Sequence, residues 1–158
     1  MSKQSLTEIV AGLAVQIDSV TVTVYEPDEF KRSIESADCP ARILLPSTEG
    51  DVHTLTKWSG GFARTMRMTW VIKDLLLYKP VEEGMGWYEV AYDLDDYVDS
   101  YASALVGAQR GASGFCGTGP STLESADWTV GTFTYPVGGT RSYYGVMTTL
   151  RIVEVLDA

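Results

Sequence analysis

Apolar residues recur along this chain in two rhythms, one helical and one alternating. Leu6, Ile9, Val10, Leu13, Ala14 and Ile17 share one face at helical spacing. Ser5 followed by Glu8 has the form of a capping box, so a helix is expected from about Leu6 to Asp18. "VTVTVY" follows, with Val20, Val22 and Val24 alternating against threonines, the pattern of a half-buried strand. "EPDEFKRSIESADCP" reads as a polar turn with at most one helical turn, ended by Pro40, and "ARILLP" as a short buried strand. "STEGDVHTLTKWSGG" is either a loop or the start of a hairpin.

The most apolar stretch, "MTWVIKDLLLYK", is too short and too charged to cross a bilayer, which takes roughly 20 apolar residues. Met66, Met68, Trp70, Ile72, Leu76 and Tyr78 occupy every second position, with Asp74 the one polar member of that set. Alternation with β-branched and aromatic residues predicts a strand. Begun near Phe62, it is far longer than the usual five or six residues. A second helix is expected within "GMGWYEVAYDLDDYVDSYASALVGAQRG", where Trp87, Ala91, Leu94, Val98, Tyr101 and Leu105 form the apolar face and Gly111 the stop. "GASGFCGTGPSTLES" reads as a Gly/Ser-rich loop. Two closing strands, "DWTVGTFTY" and "SYYGVMTTLRIVEV", are joined by "PVGGTR", in which Gly138 and Gly139 supply positive-φ positions. In the last strand Tyr144, Val146, Leu150 and Ile152 share a face.

The order α-β-β-β-α-β-β predicts an α+β fold in one domain, residues 1–158. Its sheet is expected to be mainly antiparallel, with two principal helices packed on it and one long protruding strand or hairpin. At 158 residues the chain can bury a real core without staples. The opening "MSKQSLTEIV" lacks the basic and apolar regions of a secretory signal, so the chain is expected to stay in the compartment where it is made. A net charge of -9 argues against wrapping DNA or docking on anionic lipid, since phosphate binding releases counterions to Lys and Arg. It permits a wall beside DNA that does not hold it.

The search for chemistry finds no catalytic constellation, no metal set and no cofactor motif. His53 sits in a polar stretch without a carboxylate or cysteine at ligand spacing and reads as a surface residue. Cys39 and Cys116 read as free thiols, and Cys116 in "GFCGTG" lacks a neighbouring base to activate it. The Gly111 to Gly119 loop has no Gly-Lys-Ser/Thr and follows a helix instead of opening one, so it fails as a phosphate cradle. Asp93, Asp95, Asp96 and Asp99 could attract a hard cation but read as a solvated helix face. Asp74 either marks where the strand leaves the core or pairs with a cation such as Arg151. Trp70 and Trp87 are read as packing residues. Trp58, Phe62, Phe115 and Arg141, in or beside loops, and Arg64 and Arg67, at the start of the long strand, are the candidates to meet a partner.

In its succession of elements the chain resembles the tail-terminator proteins of long-tailed bacteriophages, the lambda-like neck components. The resemblance runs through the opening helix, "VTVTVYEP", "CPARILLP", "FARTMRMTWVIKDLLLY", the long helix and "YYGVMTTLRIVEV". It implies a virion protein, assembled in the host cytoplasm, that forms a homo-hexameric ring. Such a ring caps the tail tube protein and meets the head connector, while DNA passes through the centre without being specifically bound. It carries no catalytic, metal or cofactor residues and implies no membrane partner. A head-tail adaptor is the alternative within that class, and a small α+β enzyme or ligand-binding module using the Gly111 to Gly119 loop the alternative outside it.

Overall fold

The computed structural model describes residues 3–26, 38–57, 64–82, 86–108, 114–116, 121–135 and 141–157. The chain is α+β, with a mostly antiparallel sheet and two helices. Helix α1 (Lys3–Ala11) leads into strands β1 (Gln16–Ile17), β2 (Val20–Thr21), β3 (Thr23–Tyr25), β4 (Ala41–Leu45), β5 (Val52–Lys57) and β6 (Arg64–Pro80). A 3-10 turn (Trp87–Glu89), helix α2 (Ala91–Ala108) and strands β7 (Ser121–Thr134) and β8 (Ser142–Asp157) complete it. The six-stranded sheet runs β3-β4-β6-β8-β7, with β5 added along the β4 edge of β6. Only β3 with β4 is parallel.

The opening helix is shorter than its spacing predicts. It stops at Ala11, and the apolar residues that would have continued it enter β1, where Val15 and Ile17 are buried. Leu13 and Ile17 fit a helical face while Val15 and Ile17 fit a strand, so the local pattern supports both. Asp18 and Ser19, both at positive φ, then turn β1 into β2, the geometry of a two-residue hairpin. Ser5 lies inside the helix and is not its cap, since helix begins at Lys3. "VTVTVY" is divided between β2 and β3. The Val52–Lys57 segment, left open between loop and hairpin, is a strand antiparallel to β6. The last five residues of the expected Gly/Ser loop, Ser121 to Ser125, belong to β7. Gly111, Gly138 and Gly139 lie outside the described residues.

Alternation along β6 places its even positions under the helices. Ile72, Leu76 and Tyr78 join Tyr144, Val146, Leu150 and Ile152 of β8, with Leu6 and Val10 of α1 and Leu94, Tyr97, Tyr101 and Leu105 of α2, in the main core. Each large apolar side chain so buried is worth roughly 1.5–3 kcal/mol. The α2 face differs from expectation at its start: Tyr97 is inside, whereas Trp87 is 44% exposed in the 3-10 turn. A smaller cluster of Ile43, Leu75, Leu77, Tyr135 and Tyr143 forms on the opposite face.

The 17 residues of β6 outrun this core. Near Arg64 the ribbon carries β5, whose Val52 to Leu55 are exposed, and no residue before Trp70 belongs to either cluster. Its backbone is not left bare, as its length had suggested. β8 pairs with β6 from Thr65 to Pro80, while β5 and β4 share the other edge over Arg64 to Thr69 and Lys73 to Leu77. In the gap between them the Val71 N–H donates to Asp51 Oδ1 at 2.8 Å. The edges that no described strand covers are the outer ones of β7, β5 and β3.

Candidate functional site

Strand parity assembles the one ionic cluster of the main core among the described residues. Arg42 pairs with Leu76 and Leu44 with Asp74, so Arg42 and Asp74 are diagonal neighbours on the helix-facing side of the sheet. Tyr97 and Tyr101 reach the same spot from one face of α2. Arg42 donates to Asp74 Oδ2 from Nε at 2.9 Å and from Nη2 at 2.6 Å. The Tyr101 hydroxyl donates to the same oxygen at 2.7 Å. The guanidinium also reaches the last carbonyls around α1, Leu13 O from Nη1 at 2.8 Å and Val10 O from Nη2 at 3.2 Å. One cation thereby satisfies acceptors that the helix end leaves open.

The partner of Asp74 is therefore Arg42 and not Arg151. Arg151 stands opposite Val71 in the β6–β8 ladder, on the other face of the sheet from Asp74. Arg42, Asp74 and Tyr101 are each 0% exposed, so this cluster offers no face to a ligand and acts by tying α1, α2 and the sheet together. Burial alone would disfavour the Arg42 charge, but the attraction of Asp74 outweighs it and raises the pKa. Burial, reinforced by the Asp74 charge, holds the Tyr97 and Tyr101 hydroxyls well above the ordinary 10.0. Burial and a 2.6 Å hydrogen bond donated to Asp93 raise Tyr78 as well.

These tyrosines fix the sign of an alkaline effect. The folded state holds their protons more tightly than the unfolded chain does, so their contribution is complete below the unfolded pKa and is lost as pH rises toward the folded values. The urea midpoint should hold at about pH 8 and fall steeply by about pH 11. An unchanged midpoint over that interval would contradict the burial of Tyr97 and Tyr101.

The residues expected at an interface do not form one site. Trp58 and Phe62 lie outside the described residues, as does the Arg64 side chain. Arg67 is exposed and 3.9 Å from Glu124, a loose surface pair. Arg141 is exposed beside Tyr143 and Cys39. Phe115 is a core residue, 0% exposed in the main cluster: the Phe115 N–H donates to Ser121 O at 2.7 Å, which folds the glycine-rich segment over its ring.

His53 lies on β5 with its ring 4.4 Å from that of Trp70. Cys116, at positive φ, donates its backbone N–H to Ala108 O at the end of α2. Its thiol pKa is raised by burial, and burial foremost lifts that of Cys39 to about 11. Asp93 is engaged by Tyr78, while Asp95, Asp96 and Asp99 point to solvent on α2. Among the described residues no group of His, Cys, Asp or Glu is arranged to hold a metal ion, and no helix is long and apolar enough to cross a membrane.

The surface the sequence reading passed over is the start of α2. Tyr88 and Tyr92 are 77% and 82% exposed beside Trp87. "WYEVAY" carried the signal, but Trp87 had been placed on the apolar face and the two tyrosines were not weighed. No family model and no curated protein matches the chain.

Proposed function

We propose that this chain is a structural virion protein of a long-tailed phage, a tail terminator. Its identical copies form a ring that caps the tail tube and meets the head connector, with DNA passing through the opening. The reading starts from the resemblance in element order. The observation that carries it is the β5–β6–β8 ribbon, which extends beyond the core and presents exposed Val52, Leu55, Val155 and Leu156. A ribbon of that kind finds its apolar complement in another subunit. Uncovered outer strands are further sites for sheet extension, and a charge of -9 suits a wall that DNA must pass without sticking.

On this reading the chain works by shape and contact in the neck of the virion, after assembly in the host cytoplasm, and catalyses nothing. Tails assembled in its absence should grow past their normal length in electron micrographs, and supplying the chain should restore the stop. Tails of normal length without it would remove the terminator role.

A further inference from the structure

The two ends of β6 carry opposite surfaces. At the Arg64 end, ladder register puts Leu55, Met66 and Leu156 in one rung on the helix-facing side of the sheet, beyond the reach of the helices. Leu55 is 59% and Leu156 41% exposed. The Lys57–Arg64 rung falls on that same face one step outward. With Arg67 nearby, three basic residues gather here and outnumber Glu124 and Asp157 in an otherwise acidic chain.

At the Pro80 end the signs are reversed. The Trp87 ring lies 4.7 Å from that of Tyr144, the ladder partner of Lys79, which fixes the start of α2 at that end. Trp87, Tyr88 and Tyr92 form an exposed aromatic group. Glu89, Asp95 and Asp96 surround it, the two aspartates lying one helical turn from Tyr92 on the outer face of α2. Large amphipathic rings with satisfied rims are the residues that anchor protein interfaces.

We infer that the two ends dock on one another between copies: the Leu55–Met66–Leu156 rung of one chain seats on the Trp87–Tyr88–Tyr92 group of the next. Lys57 and Arg64 face Glu89, Asp95 and Asp96 across the contact. The surfaces are different and lie roughly 40 Å apart at the usual strand rise, so the contact is head to tail. Contacts of that type propagate and close into rings when the rotation allows. The inference deepens the ring-forming reading by naming the two surfaces, and it rests on that reading for its place in the virion.

The test uses two variants of the full chain altered only at exposed positions, Leu55→Ser with Leu156→Ser and Tyr88→Ser with Tyr92→Ser. Their circular dichroism and melting should match the parent. In sedimentation velocity the parent should build species larger than a dimer as concentration rises, less so in high salt. Each variant should weaken that association about tenfold or more. Mixed in equal amounts, the two variants should form a dimer and stop, because each supplies one intact surface.

A parent chain that stays monomeric, variants that assemble like the parent, or a mixture that grows past the dimer would overturn the docking. Because tail length is scored separately, a terminator lacking this contact and a self-docking chain that is no terminator give different results.

Discussion

Asp74→Ala should cost roughly 3–5 kcal/mol of folding stability, because it strands a guanidinium that has no route to water. Arg42 would keep its hydrogen bonds to Val10 O and Leu13 O but lose both contacts to Asp74 Oδ2, and Tyr101 would lose its acceptor. Against a typical total of about 5–15 kcal/mol, that leaves a marginal fold. The measurement is the urea midpoint at neutral pH. The double variant Asp74→Leu with Arg42→Met should recover much of the loss, since paired apolar replacements of buried ions are tolerated when single removals are not. If the single and double variants were equally unstable, the loss would come from packing and not from an orphaned charge. A single variant as stable as the parent would exclude the cluster as a source of cohesion.

The second large effect is expected at Gly145. A Cβ on this residue would stand 1.9 Å from Leu76 O and 3.1 Å from the Leu76 carbonyl carbon. No rotamer change relieves a clash with backbone, so alanine must push β6 and β8 apart next to the register shift between Leu77 and Lys79. Gly145→Ala should lower stability by roughly 3 kcal/mol, the upper range for overpacking. The control is Gly107→Ala in α2, where an added Cβ meets nothing within 4 Å. There the helix should gain up to about 1 kcal/mol. Melting temperatures of the two variants should move in opposite directions, and a Gly145→Ala protein that melts with the parent would mean the strands can part at no cost.

How far the sequence carried depends on how local each decision was. Alternation in β6 needed only neighbours in the chain, and it gave both the strand and the face turned to the helices. α1 was overextended because Leu13 and Ile17 serve two periods at once, and the choice fell to a non-local contact: Arg42 holding Val10 O and Leu13 O. The partner of Asp74 depended on register. Period two said that Asp74 shares a face with Trp70 and Ile72, but only the pairing of β8 with β6 shows Arg151 on the other side. Phe115 looked exposed because glycine and serine surround it, and the hydrogen bond to Ser121 O that folds this segment inward has no signature in composition. The tyrosines at the start of α2 were readable in principle. Once Leu94, Tyr97, Tyr101 and Leu105 define the inner face, Tyr92 must lie outside it.

The β6–β8 pairing has a mechanical consequence. Its 15 rungs lie side by side along two antiparallel strands, and the proposed contacts grip the ribbon near its opposite ends. Tension passed from copy to copy would then run parallel to the strands and shear all the rungs together instead of peeling them one by one. Parallel loading shares force among many hydrogen bonds at once, so a ring of such subunits would resist stretching around its circumference. Pressure from packaged DNA would meet a stiff collar, with the helices carried on it largely unloaded.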